Sequence, residues 1–122
     1  MIVELVTFTA PAGADWDTIL SGARATIPHW RANRQLVRKH YLLSDDGKEC
    51  GGLYVWPTRA AAEAAHDAAW RAAVAQRTGS APVIRYFDLQ MLLDNEAGTV
   101  TEWSKSGEKT ARTAQDGVGN TT

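Results

Sequence analysis

Cysteine is almost missing from this chain: Cys50 stands alone. That excludes an internal disulfide and a thiolate metal cage, and a reducing, cytoplasmic setting fits. An excess of one charge is missing too, since 13 Lys+Arg face 14 Asp+Glu. A clustered cationic grip on nucleic acid or on an anionic membrane is therefore not expected. No long apolar run exists either. Ile2 to Phe8 is interrupted by Glu4 and Thr7 and then meets Pro11 and Gly13, so neither a membrane span nor an export leader is expected. Metal-binding spacing is absent: there is no H-E-x-x-H, and His29, His40 and His66 fall on different elements. One histidine would suffice as an axial haem ligand, which leaves haem open. Gly51-Gly52 sits inside a strand pattern and lacks the strand-to-helix setting of a phosphate cradle.

What is present is enough for one domain, because 122 residues with 44% apolar content can bury a single core. Ile2 to Thr9 is β-branched and aromatic and reads as a strand. Asp15 caps a helix whose apolar residues Trp16, Ile19, Leu20, Ala23, Ile27 and Trp30 recur every three or four positions. Pro28 should kink it or end it early. A strand over 35–43, an Asp46-Gly47 hairpin and a strand over 49–56 follow. Thr58 then caps an alanine-rich helix to about Gln76, stopped by Gly79, with Ala61, Ala65, Ala68, Ala69 and Ala72 facing the sheet. Pro82 to Leu93 reads as a fourth strand. The order βαββαβ predicts an α+β class, ferredoxin-like plait: a four-stranded antiparallel sheet with two helices on one face, over residues 1–94. Residues 95–122 are polar and read as a C-terminal tail that cannot fold alone, with Trp103 its one anchor.

Both alternating sets of the first strand are apolar, Ile2, Val6 and Phe8 on one side and Val3 and Leu5 on the other. Two helices cover only one face. The other should pair with its copy in a homodimer.

A two-residue turn at Asp46-Gly47 makes facing positions sum to 93, so Lys39 meets Tyr54, Tyr41 meets Gly52, Val37 meets Trp56 and Leu43 meets Cys50. One face then carries Lys39, Tyr41, Tyr54 and Trp56 around Gly52. That is a pocket floor with aromatic walls, hydroxyl donors and one desolvated cation, suited to a small planar aromatic or hydrophobic ligand.

The run Leu36-Val37-Arg38-Lys39-His40-Tyr41-Leu42-Leu43, the segment Gly51-Gly52-Leu53-Tyr54-Val55-Trp56 before an alanine-rich helix, and Arg85-Tyr86-Phe87-Asp88-Leu89 together resemble the YdhR-type monooxygenases. These belong to the dimeric α/β-barrel, ferredoxin-like superfamily. The resemblance spans about residues 1–94. It implies back-to-back sheets in a dimer and, in each subunit, a ligand cavity between helices and sheet. Cofactor-free oxygenases, haem-degrading enzymes, isomerases and cyclases share this fold, so the reaction is less fixed than the architecture.

The expected function is a monooxygenase without cofactor, acting on a planar phenolic or enolisable compound. Lys39 with Tyr54 or Tyr41 would stabilise the substrate anion. Trp56 and Trp30 would be walls, with Gly52, His66 and Trp70 beside them; Arg85 is either a substrate contact or an ion-pair partner of Asp88. Two alternatives stay open at this point. One is an isomerase, cyclase or lyase on a similar substrate, and the other is a non-catalytic small-ligand-binding stress-response protein.

Overall fold

A computed structural model describes residues 1–113. Its elements are β1 (Ile2–Thr9), α1 (Trp16–Ala25), α2 (Ile27–Arg31), β2 (Arg38–Leu43), β3 (Glu49–Trp56), α3 (Arg59–Ala65), α4 (Ala68–Thr78), β4 (Val83–Asp88), β5 (Met91–Asp94), β6 (Thr99–Trp103) and β7 (Lys109–Thr113). The chain divides into two units: Ile2–Phe87, and Asp88 onward with Met1.

In the first unit the sheet order is β2-β3-β1-β4, the order of a ferredoxin-like plait. The β2–β3 register pairs Lys39 with Tyr54, Tyr41 with Gly52 and Leu43 with Cys50. The hairpin reaches this register by a longer route than the two-residue turn. Ser44 and Glu49 close a four-residue loop in which the Gly47 amide donates to the Ser44 carbonyl and Gly47 takes a positive φ of 72°. Both loops are centred on the same point, so the facing pairs are unchanged. At the far end the expectation fails: the Val37 amide donates to the Val55 carbonyl, although Val55 already faces Arg38. The ladder ends in this doubled contact, and Val37 does not meet Trp56.

Capping explains the helix boundaries. Asp15 accepts the Thr18 amide, Thr58 accepts the Ala61 amide, and Gly79 ends α4 in the left-handed region. Pro28 sits in the first turn of α2, so the first helix is two pieces separated at Thr26. The second helix, expected to be continuous, is also two pieces. His66 leaves helical geometry with ψ 55°, and Asp67 restarts the chain by accepting the Trp70 amide. This break rotates the alanine pattern: Ala68, Ala69 and Ala72 are exposed, and the helix residues that go inside are Ala62, His66 and Val74.

The core lies on the helix side of the sheet, where Val6, Trp30, Tyr54, Trp56 and Ala62 pack with partly buried Ile84 and Tyr86. Gly51 faces β1 so closely that a Cβ would collide with the Val6 carbonyl. Only a residue with no side chain fits there.

The second unit corrects the expected tail. The fourth strand stops at Asp88 rather than Leu93, and residues 91–113 form a three-stranded sheet ordered β5-β6-β7. Val100 and Thr101 are buried within it. The cause is legible in hindsight. Asp94 accepts the Glu96 and Ala97 amides to make one turn, and Ser104 accepts the Glu108 amide at the next, with Gly98 and Gly107 at positive φ. Trp103 pairs with Lys109. Residues 114–122 of the expected tail lie outside the described residues.

Candidate functional site

Helices α1, α2 and α4 and the sheet enclose a cavity of about 650 Å³. Lys39, Tyr41, Tyr54, Trp30 and Trp70 line it, together with Phe8, Trp16, Cys50 and Arg77. Strand alternation places Lys39, Tyr41 and Tyr54 on one sheet face, and α2 carries Trp30 down onto them.

Lys39 is held by rings. Its Nζ lies 3.9 Å from the Tyr41 ring centre, 4.6 Å from that of Trp30 and 4.7 Å from that of Tyr54. Among the described residues it has no carboxylate partner. Burial lowers its pKa to about 8, because taking an ammonium out of water disfavours the charged form. The ring faces work in the opposite direction, since each attracts a cation. Gly52 makes this arrangement possible: a Cβ there would sit 2.9 Å from Lys39 Cε and 3.0 Å from Tyr54 Cε1. The space beside Gly52 is therefore filled by the lysine stem and the tyrosine ring, and Gly52 itself is not part of the cavity lining.

The two tyrosines differ. Thr26 Oγ1 donates its one proton to the Ala23 carbonyl at 2.7 Å, so at 2.8 Å Tyr41 must be the donor to Thr26. Tyr41 is thereby fixed as a wall. Tyr54 makes no hydrogen bond through its hydroxyl to any described residue. Burial, then the charges of Glu4 and Tyr41, push its pKa well above the phenol range, so it stays protonated. It is the hydroxyl free to donate to a ligand.

Behind this wall lies a second cluster. Glu4 and His66 have fully buried side chains, and His66 Nδ1 is 2.8 Å from Glu4 Oε1. The approach is too far out of line to be a hydrogen bond. Trp56 Nε1 donates to the same Glu4 oxygen at 2.8 Å. The His66 ring packs 4.4 Å from Trp70, 4.6 Å from Tyr54 and 5.2 Å from Trp30. His66 and Trp56 are thus not in the cavity as expected; they brace three of its walls from the rear.

Arg85 is also elsewhere. It is exposed on β4, its guanidinium 4.9 Å from the Phe87 ring. Asp88 bonds instead to Lys105 at 2.7 Å. Sequence reasoning missed Glu4, whose signal was a lone carboxylate in the otherwise apolar set Ile2, Val6 and Phe8. It also missed Arg77, which lies near the end of α4 and lines the cavity. No histidine lines the cavity, so a haem placed there would lack an axial imidazole. Among the described residues no group of three or more His, Cys, Asp or Glu side chains is placed to hold a metal. No helix among them is long and apolar enough to cross a membrane.

No family model matches the sequence, and no curated protein matches it. Among solved structures, the chain is similar to a monooxygenase from the gene ActVA-Orf6 of Streptomyces coelicolor, determined in complex with the ligand Nanaomycin D. The TM-score is 0.58 at 18% identity, over 76% of this chain and 90% of that chain. The fold is ferredoxin-like. At that identity the likeness carries the architecture and leaves the chemistry to the residues of the cavity.

Proposed function

We propose that this chain is a small-molecule monooxygenase of the YdhR type, working in the cytoplasm without metal or flavin on a planar phenolic or enolisable substrate. The observation that carries the reading is the unpaired Lys39 ammonium, caged by Trp30, Tyr41 and Tyr54 on the floor of a cavity with mainly apolar walls. A cation without a protein partner, next to an uncommitted Tyr54 hydroxyl, is a preorganised receptor for a substrate oxyanion. Flat aromatic walls select a flat ligand.

The chemistry then follows. The free-amine form of Lys39, whose pKa is near 8, takes the acidic proton, and the ammonium so formed is the counter-ion of the enolate or phenolate. That anion gives one electron to O₂, and the radical pair joins through a new C–O bond. Loss of water from the hydroperoxide leaves a carbonyl. A methylene and O₂ become a ketone and water, and the substrate supplies every electron that oxygen accepts, so no outside reductant is required.

The same reading includes a homodimer. The sheet face away from the helices presents Val3, Leu5, Leu42, Leu53, Val55 and Phe87. Leu42 is 42% exposed and Phe87 43%, and a second copy would cover them. Oxygen uptake with a hydroxylated anthrone is the test. One O₂ consumed per ketone formed, lost in Lys39→Ala, is expected; product without oxygen uptake would turn the reading toward an isomerase, and binding without turnover toward a ligand carrier.

A further inference from the structure

We propose that Lys39 is also a carbonyl-capturing nucleophile, forming an imine with planar aromatic aldehydes that enter the cavity. This shares the cavity with the oxygenase reading but none of its redox chemistry.

Three observations point to it. The amine sits on the cavity floor and has no carboxylate partner among the described residues. Its surroundings are ring faces, which desolvate it and also stack against a flat incoming aldehyde. The Tyr54 hydroxyl, free of protein partners, is a donor for the carbonyl oxygen during attack. Desolvation, which brings the pKa to about 8, adds a standing population of free amine near neutral pH.

The other lysines supply a contrast within the same chain. Lys48, Lys105 and Lys109 are exposed, and Lys105 is tied to Asp88, which raises its pKa. None of the three lines the cavity, so none shares its stacking surface.

The step balances without a co-reactant. The Lys39 nitrogen lone pair bonds to the carbonyl carbon while Tyr54, which keeps its proton, donates a hydrogen bond to the oxygen. One nitrogen-borne proton moves to that oxygen, and the carbinolamine then loses its hydroxyl with the second nitrogen-borne proton as water, leaving C=N.

The probe is 2-hydroxy-1-naphthaldehyde at pH 7.5, followed by cyanoborohydride reduction and peptide mapping. The expected result is one adduct per chain at Lys39, formed on the order of ten-fold faster than at Lys48, because the ring-walled cavity holds the aldehyde against the Lys39 amine. The labelling rate should rise through about pH 8, and 2-naphthol, which offers the same flat rings without a carbonyl, should suppress it. Lys39→Arg should remove the adduct, whereas Lys48→Arg should leave it. Equal labelling of Lys39, Lys48 and Lys109, or a rate indifferent to 2-naphthol, would overturn the proposal. Oxygen uptake separates the two readings: uptake without an adduct sinks only the imine, and an adduct without uptake sinks only the oxygenase.

Discussion

Two polar clusters lie on the same face of the sheet, and they are built on opposite principles. The Lys39 cluster has a charge, three ring faces and no counter-ion, and it opens on a cavity. The Glu4 cluster has a carboxylate that accepts an indole N–H and lies 2.8 Å from an imidazole, and it is sealed from solvent. The Lys39 ammonium borders space that a ligand can enter, whereas the Glu4 and His66 side chains do not. That access separates what binds from what braces. Tyr54 is the joint between them, because its ring touches both Lys39 and His66.

The largest effect should come from breaking the brace. Glu4→Ala leaves the Trp56 N–H buried without its acceptor and removes the carboxylate beside His66, and it should cost about 3 kcal/mol in urea unfolding. Glu4→Gln, which keeps an acceptor for Trp56, should lose less. A loss well under 1 kcal/mol for Glu4→Ala would mean that the cluster is not sealed.

Breaking the receptor should do the reverse, harming binding and sparing the fold. Tyr54→Phe removes one donor and should weaken a bound phenolate by about ten-fold, roughly the worth of one hydrogen bond to a charged group. Tyr41→Phe, whose hydroxyl is spent on Thr26, should change affinity much less. Equal losses in the two would contradict the assignment of donor and wall.

A further effect is a matter of pH. Lys39 has a folded pKa near 8, below its ordinary 10.5, so between these values the unfolded chain binds more protons than the folded one. Stability relative to Lys39→Met should therefore rise with pH from about 8 to 10.5 and run parallel below 8. Chemical denaturation across that window checks it; parallel curves throughout would place Lys39 in water.

Much of the fold was legible because its signals are local. Ile2–Thr9 alternates, Asp15, Thr58 and Gly79 cap and stop, and the Asp46-Gly47 region fixes a register that put Lys39 opposite Tyr54. The site was half legible for the same reason: facing pairs on one hairpin follow from counting. What stayed hidden depends on distant partners. Nothing near His66 announces that its ring turns inward toward Glu4 on β1, so the helix break and the bracing role were missed. Trp56 and Gly52 were assigned to the cavity because they share β3 with residues that line it, but Trp56 is claimed by Glu4; Arg85, on β4, stacks on Phe87. The last strands went unread because threonines and charged residues fill most positions of β6 and β7, and buried Val100 alone gives a weak signal.

The central claim is that Lys39 waits for an anion. Calorimetric titration of a planar dihydroxynaphthalene into the wild-type chain and into Lys39→Met tests it most directly. The account predicts one molecule bound per chain and an affinity at least about ten-fold weaker in Lys39→Met, equivalent to roughly 1.4 kcal/mol. Equal affinity in the two would contradict it.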